Sequence, residues 1–233
     1  MVTSVANEAI KRGVGVLGGT FDPIHNGHLR LGWEAKLQLN LDQIRFIPCH
    51  IPPHRDTPHG ESGHRLAMTR LACEPVPGFV VDDWEINRAA PSYTVDTLSH
   101  LRKQVGEKLP IVFLMGMDAF CQFSHWHEWE NILNLAHLWV AHRPGSNTPS
   151  KDSDEFELLQ ALHVESPNLL MDEPAGLLHV YNTTALDISS TQLRDDIERG
   201  QDPRFLLPDS VWRYIGENNL YNVGKSRYPN QEN

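Results

Sequence analysis

The sequence is poor in cysteine and in positive charge. Its 233 residues include three cysteines, Cys49, Cys73 and Cys121, which are widely spaced and form no Cys-x-x-Cys pair. Neither a disulfide framework nor a zinc site is therefore indicated. Lysine and arginine total 20 against 30 aspartates and glutamates, a formal net charge of −10, which argues against a general nucleic-acid binder. Any polyanionic ligand must be held by local positive groups, and small nucleotides fit that balance better than DNA or RNA.

Long apolar segments are also missing. No run approaches the roughly 18 residues that a membrane-spanning helix needs, and residues 1–13 lack the apolar core of a signal peptide. We therefore expect a cytoplasmic protein without a membrane partner. The hydrophobic content of 40% is nevertheless sufficient for the core of one large α/β domain, with disorder only at the ends.

One stretch organises the chain. Residues 18–29 read GGTFDPIHNGHL, after the apolar run Val14–Leu17 and before helical apolar spacing at Leu29, Trp33 and Leu37. The predicted order is strand, glycine turn and helix. In an open parallel sheet such a turn lies at the carboxyl end of a strand, where these folds bind ligands, and the free N–H groups of the next helix favour an anion such as phosphate.

Two histidines give this turn its chemistry. His25 and His28 are three residues apart, so both face the turn if the helix begins near Asn26. An isolated pair of this kind is more often a helix cap plus a surface histidine, but the glycine turn and Gly27 favour a functional site. Two imidazoles can donate hydrogen bonds to phosphate oxygens and stabilise developing charge. Phosphoryl and nucleotidyl transfers need no nucleophile from the protein.

A second glycine pattern is misleading. Residues 13–18 match the G-x-G-x-x-G fingerprint of dinucleotide-binding dehydrogenases, which should follow a strand and open a helix. Here the pattern falls inside the predicted first strand, and no acidic residue ends a clear second strand about 20 residues later. We therefore discount a dehydrogenase.

The histidine segment resembles the signature of the nucleotidyltransferase superfamily that carries a His-x-Gly-His element. It is specifically similar to bacterial nicotinate-mononucleotide adenylyltransferases, although pantetheine-phosphate adenylyltransferases and related cytidylyltransferases share the motif. The resemblance implies catalysis by the two histidines and ATP binding by a set of turn residues: Gly18, Gly19, Thr20, Phe21, His25 and His28.

The remaining apolar pattern alternates strands with helices, which is typical of one α/β domain with a doubly wound, Rossmann-like parallel sheet. Five further strands are predicted, at 43–48, 79–81, 111–115, 138–141 and 177–181. Helices are predicted over 64–73, through Val95, Leu98 and Leu101, around 156–162, from residue 188 and over 208–221.

Two loops resemble the mononucleotide-binding elements of the family. The Pro-Pro-His-Arg loop implies that His54 and Arg55 lie against the phosphate of the mononucleotide. The four histidines between residues 50 and 64 fit no helical pair of metal ligands, which leaves a metal site there as a minor alternative.

In the Arg-x-x-Pro-Ser-Tyr-Thr segment, groups around Tyr93 and Thr94 are expected to contact the pyridine ring, although Ser92 or Thr94 could equally cap the next helix.

The aromatic segment 123–129 carries a further resemblance. Trp126 is assigned to the nicotinate pocket, while Trp129 is assigned to packing. The basic motif at 142–145 matches the family at Arg143, which we place with the mononucleotide, whereas His142 departs from the usual arginine.

Two more motifs match the ATP-binding elements of the family. Gly116 and Asp118 follow a buried strand, where the aspartate accepts from the ribose of adenosine or merely caps the next helix. Residues 188–194 resemble the second superfamily signature, which implies that Ser189, Ser190 and Arg194 grip the ATP phosphates; helix capping would give the same sequence pattern.

The resemblance covers about residues 14–221. It implies a nucleotidyltransferase domain over 1–222, with a disordered tail over 223–233, that converts ATP and nicotinate mononucleotide to nicotinate adenine dinucleotide and pyrophosphate in NAD biosynthesis. Magnesium is expected as the ion that bridges the triphosphate, with no metal site in the protein. Another acceptor, nicotinamide mononucleotide or 4′-phosphopantetheine, and a non-catalytic nucleotide sensor are the alternatives, and the sequence leaves a homo-oligomer open.

Overall fold

A computed structural model describes residues 10–50, 58–88, 90–143, 145, 147–184 and 186–223. Within these residues the chain forms six strands: β1 (Val14–Gly19), β2 (Gln43–Pro48), β3 (Phe79–Val81), β4 (Ile111–Gly116), β5 (His137–His142) and β6 (Leu178–Asn182). Eight α-helices are described in the same residues: α1 (Asn26–Gln38), α2 (Ser62–Cys73), α3 (Thr94–Val105), α4 (Met117–Phe120), α5 (Trp129–Leu135), α6 (Asp154–Leu162), α7 (Ser190–Glu198) and α8 (Asp209–Glu217).

The strands form one parallel sheet in the order β3-β2-β1-β4-β5-β6. The order reverses between β1 and β4, which is the switch point of a doubly wound fold. The glycine turn after β1 and the loop after β4 therefore open into the same crevice. The predicted α/β class and parallel Rossmann-like sheet are confirmed.

Apolar side chains cover both faces of the sheet. Along β4, Val112 and Leu114 pack on one face while Phe113 and Met115 pack on the other. Helices α1, α2, α7 and α8 contribute to the first core, and α3 and α5 contribute to the second. A strand buried on both faces has no polar side, which explains why β4 reads as an uninterrupted apolar run.

The predicted strands β2 and β3 have the bounds that the structure shows, and the others differ by one or two residues. β1 extends through Gly18 and Gly19 because both continue the pairing with β2. The G-x-G-x-x-G pattern thus lies across the start and middle of a strand, as predicted. The helix predicted over 208–221 is wrong in extent: α8 ends at Glu217, and Asn219 then adopts a left-handed backbone with φ of 53°.

The structure also bears on the cysteines and on membrane-spanning segments. All three cysteines are free thiols. None of the helices in the described ranges is long and apolar enough to cross a membrane.

Candidate active site

The histidine pair lies where α1 begins. His25 is the N-cap residue of the helix, and its ring stacks on that of His28 with 3.7 Å between centroids. The main-chain N–H of His25 donates to Nδ1 of His28 at 3.3 Å. This bond leaves the Nε2 nitrogen of His28 as the proton-bearing one in the neutral ring. Both histidines are therefore held at the first turn, as the sequence predicts.

His25 is almost completely buried, with 5% of its surface exposed. Burial, and to a smaller extent the positive charge of Arg143, lower the pKa of His25 to about 4. The ring is consequently neutral at physiological pH. Its Nδ1 atom is buried and has no hydrogen-bond partner among the described residues, so this ring has an unused polar atom beside the crevice.

The residues around the pair explain its tight packing. The ring of Phe21 meets that of His28 edge-on at 5.0 Å, and Phe21 adopts a positive φ of 49°. A Cβ atom at Gly27 would come within 3.0 Å of Nδ1 of His25. A side chain at position 27 would therefore force the His25 ring to move.

The histidines line a cavity of about 270 Å³, which we call the histidine pocket. Strand ends and the start of α7 complete its wall, chiefly through Gly116, Arg143, Thr184, Ser189 and Ser190. Ser189 is the N-cap residue of α7 but makes no side-chain cap, and the hydroxyl of Ser190 donates to the carbonyl of Pro23 at 3.0 Å. The helix terminus therefore faces the pocket with main-chain N–H groups suited to an anion.

Glu34 also lines the histidine pocket. Its carboxylate accepts from the main-chain N–H of Thr184 at 3.1 Å and from Nε of Arg30 at 2.6 Å. Burial alone would raise the pKa of Glu34, but the hydrogen bonds from Thr184 and Arg30 outweigh it and lower the pKa. Sequence reasoning missed this residue, although a glutamate on an otherwise apolar inner helix face is a usable signal.

A second cavity of about 410 Å³ is lined in part by the glycine turn; we call it the tryptophan pocket. It is lined by parts of three loops and by aromatic side chains: Gly18, Gly19, Thr20, Cys49, Glu85, Ser92, Tyr93, Thr94, Phe113, Asp118, Trp126 and His127, among others. The ring of Trp126 packs edge-on against Phe113, with 6.0 Å between centroids. Gly18, Gly19 and Thr20, which were predicted to bind ATP, thus line the tryptophan pocket and not the histidine pocket.

The start of α3 opens into the tryptophan pocket. The N-cap residue is Tyr93, and no side chain caps this helix within the described residues. The expected cap from Ser92 or Thr94 is not formed, because the Ser92 hydroxyl instead accepts from the main-chain N–H of His50 at 3.0 Å. The free N–H groups of the first turn are therefore available to a ligand.

Glu85 is a buried acid in the same wall, and sequence reasoning did not single it out. Thr97 donates its hydroxyl to the Glu85 carboxylate. Burial raises the pKa of Glu85, against the opposing hydrogen bonds from Thr97 and Ser92. These hydrogen bonds tie Glu85 to α3 through Thr97 and to the segment just before α3 through Ser92.

Arg143 and Asp118 meet at the junction of the two pockets. Nη2 of Arg143 lies 3.8 Å from Oδ2 of Asp118, and both side chains are substantially exposed. Arg143, predicted for the mononucleotide, lines the histidine pocket, and Asp118, predicted for ATP, lines the tryptophan pocket. Asp118 lies inside the short helix α4, whose N-cap is Gly116, so it does not cap that helix.

Two predicted residues with a described position, Phe21 and Arg194, line neither pocket. Phe21 is buried against the ring of His28. His54 and Arg55 lie outside the described residues. Arg194 turns toward the interior, where Nη1 donates to the carbonyl of Asp22 at 2.7 Å and lies 3.8 Å from its carboxylate. Arg194 therefore supports the loop before the histidines, and it lines a neighbouring surface cavity with Tyr221.

Acidic and imidazole groups do not converge on a metal site in the ranges that the structure describes. The acids nearest the histidine pocket have other partners, since Glu34 holds Thr184 and Asp118 faces Arg143. These residues fit an ion that comes bound to a nucleotide better than one held by the protein alone.

Comparison with known proteins shows the family. Residues 16–196 match the model of the cytidylyltransferase-like family. A protein of Cellvibrio japonicus described as a probable nicotinate-nucleotide adenylyltransferase is 46% identical over 208 residues, which are 89% of this chain and 98% of that protein. A protein of Aeromonas salmonicida with the same description is 46% identical over 212 residues, covering 91% and 98% of the two chains.

Solved structures agree on the fold. Plasmodium falciparum nicotinic acid mononucleotide adenylyltransferase complexed with NaAD superposes with a TM-score of 0.69 at 18% identity, covering 92% of this chain and 99% of that one. Because residues 16–196 match the family model and the two relatives match along almost their whole length, this chain belongs to the cytidylyltransferase-like nucleotidyltransferases and, among them, to the nicotinate-nucleotide adenylyltransferases.

Proposed function

We propose that the histidine pocket binds ATP with its magnesium ion and that the tryptophan pocket binds nicotinate mononucleotide. The observation that carries this proposal is the position of the stacked histidines at the start of α1, between a polar pocket and an aromatic one. An acceptor in one pocket and a triphosphate in the other can then meet at the glycine turn.

The reaction joins the two substrates without a covalent intermediate on the protein. An oxygen of the mononucleotide 5′-phosphate attacks the α-phosphorus of ATP, a new P–O–P bond forms, and the bond to the departing pyrophosphate breaks. Magnesium, when it is bound to the triphosphate, neutralises charge on the phosphates. Everything else in this step is positioning and charge stabilisation by the chain.

The two histidines have different roles in that step. Nδ1 of His28 is occupied by the N–H of His25, so the proton is on Nε2, and this Nε2–H donates to a phosphate oxygen that gains charge. His25 stays neutral because burial lowers its pKa to about 4, so it acts as a hydrogen-bonding group rather than as a cation. The start of α7 and Arg143 add positive potential for the leaving pyrophosphate.

The pyridine end is held by different means. The face of Trp126 provides a stacking surface, and the uncapped start of α3 at Tyr93 and Thr94 provides N–H donors. Such donors favour a negatively charged carboxylate over a neutral amide on the ring. This arrangement supports the acid, nicotinate mononucleotide, as the acceptor.

The decisive assay is pyrophosphate release from ATP and magnesium with three acceptors in parallel: nicotinate mononucleotide, its amide and 4′-phosphopantetheine. We expect the highest kcat/KM with the acid. Preference for another acceptor would retain the transferase and overturn the assignment of the tryptophan pocket. ATP binding without turnover of any acceptor would indicate a nucleotide sensor.

A further inference from the structure

Arg65, on α2, is a buried cation that the proposed reaction has not used. Only 1% of its surface is exposed. Its guanidinium donates to three main-chain carbonyls: Nη1 to Thr20 at 2.7 Å, Nη2 to His50 at 3.2 Å and Nε to Gly60 at 3.1 Å. Every one of these acceptors is uncharged.

Buried arginines are normally paired with an acid, because an isolated charge is costly to remove from water. Among the described residues, no carboxylate forms an ion pair with Arg65. Asp22 contacts the same segment, but it accepts from the N–H of Gly60 and forms its own ion pair with Arg194. The hydrogen bonds to carbonyls satisfy the donors of Arg65 without neutralising its charge, so its positive potential extends into the surroundings.

Those surroundings include the glycine turn. Thr20 lines the tryptophan pocket, and Arg65 binds its carbonyl from inside the protein. Cys49, whose sulfur lies 4.0 Å from Nη1 of Arg65, lines the same pocket. The charge of Arg65 therefore lies directly behind the wall that connects the tryptophan pocket to the histidines.

The described lining of the tryptophan pocket offers no other strong positive charge. It contains the acids Glu85 and Asp118, but neither lysine nor arginine is found among the described residues that form it. A mononucleotide in this pocket must place its 5′-phosphate near the glycine turn to reach the α-phosphorus of ATP. A phosphate at that position is stabilised by positive charge in a chain with a net charge of −10. Arg55, which the family resemblance places at this phosphate, lies outside the described residues, so a cation behind the turn adds to it.

We propose that Arg65 is a positioning residue that fixes the glycine turn through Thr20 and supplies positive charge, from behind the turn, for the 5′-phosphate of the acceptor. This inference rests on the proposed function, since it requires a phosphorylated acceptor in the tryptophan pocket. Arg65 does not touch the substrate; it acts through the main chain and through its field.

The test separates charge from hydrogen bonding and from folding. Both variants are too short to keep the full set of hydrogen bonds that Nη1 and Nη2 of Arg65 make with Thr20 and His50. R65K keeps the positive charge, whereas R65Q removes it and keeps an amide N–H donor at the position of Nε, so the two variants differ chiefly in charge. Calorimetry gives Kd for nicotinate mononucleotide and for nicotinate riboside, the same ligand without its 5′-phosphate. We expect R65Q to bind the mononucleotide at least about tenfold more weakly than R65K does. The Kd of the riboside should differ between these variants by less than about twofold.

A matched control is available on the same helix. Arg70 is exposed and pairs with Asp83 on the surface, so R70Q should leave both dissociation constants unchanged. Thermal unfolding of each variant reports its folding. If R65Q does not fold, R65M takes its place in the comparison with R65K, because methionine is also uncharged and its apolar side chain suits a buried position.

The outcomes distinguish the two levels of the proposal. An equal loss of affinity for nucleotide and riboside in R65Q would show a purely structural residue and overturn the inference, while the proposed function would stand. If the ratio of the Kd of the riboside to the Kd of the mononucleotide were the same in wild type, R65K and R65Q, the inference would be overturned as well. A wild-type chain that binds neither ligand would overturn the proposed function, and the inference with it.

Discussion

The histidine pocket and the tryptophan pocket are lined by consecutive parts of one segment, the glycine turn and the histidines that follow it, and are built differently. The first is small and polar, with two stacked imidazoles, Arg143 and the start of α7. The second is larger and aromatic, and its described lining carries no lysine or arginine. The difference shows how one crevice divides its work: fixed polar donors suit phosphate chemistry, and aromatic faces suit a ring. Substitutions in the two pockets should therefore affect different kinetic constants.

The largest effect is expected at His28. H28A removes the Nε2–H donor that is proposed to bind charge developing in the transition state, and kcat should fall by about 10²–10³ while both KM values stay near normal. Steady-state pyrophosphate release measures this. H125A, which changes an exposed histidine outside both pockets, is the control. A near-normal kcat in H28A would remove the catalytic assignment.

A smaller effect is expected at Trp126, and it concerns KM rather than kcat. W126A removes the stacking face, so KM for the mononucleotide should rise by about tenfold, which corresponds to roughly 1–3 kcal/mol per stacked ring. KM for ATP should not change. W126F keeps an aromatic face against Phe113 and should recover most of the affinity. Equal rises in both KM values would contradict the division between the pockets.

The buried histidine should also be visible in stability. The pKa of His25 is about 4 in the folded chain against 6.5 for an ordinary histidine, so the unfolded chain binds the extra proton first as pH falls. The stabilising effect of a neutral His25 is complete above pH 6.5 and is lost progressively down to about pH 4, by up to about 1.4 kcal/mol per pH unit.

Urea unfolding at pH 7 and pH 5 tests this. In H25N the difference in the free energy of unfolding between the two pH values should be smaller than in the wild type, because Asn does not titrate. Carboxyl groups with lowered pKa values, such as Glu34, lose their protons below this range in both chains and largely cancel in the comparison. Identical pH dependence in the two chains would show that His25 is not the group that titrates.

Much of this architecture is predictable from sequence. The apolar runs that became β2, β3 and β4 have no competing pattern, and the glycine turn between β1 and α1 fixes the histidines at a helix start. Local chemistry determines these features, so a short window of sequence suffices to find them.

What could not be predicted depends on contacts between distant segments. Ser92 was one of two candidate caps for α3, but its hydroxyl accepts from the main-chain N–H of His50, which is 42 residues away in sequence. Arg194 is predicted at the phosphates, and that role stays a prediction; the contact that the sequence did not indicate is the hydrogen bond from its guanidinium to the carbonyl of Asp22, 172 residues away. Both residues have the right chemistry for the predicted role, and only the folded arrangement shows which partner each one meets.

Glu34 offers the test with the smallest expected effect on the assignment of ATP and the mononucleotide to the two pockets. It is not proposed to contact the α-phosphorus of ATP or the 5′-phosphate of the mononucleotide. Its carboxylate holds Thr184 in the wall of the histidine pocket through two main-chain contacts of 3.1 and 3.3 Å. E34Q keeps the shape but loses the charge that binds Arg30 and turns one acceptor into a donor, so Thr184 should be less well fixed. We expect KM for ATP to rise by about three- to tenfold, which corresponds to the roughly 1 kcal/mol of one such hydrogen bond. KM for the mononucleotide should stay unchanged, and E157Q, at an exposed position on α6, should change neither. Should KM for the mononucleotide rise instead, the two pockets would have to exchange substrates, since Thr184 lines only the histidine pocket among the two.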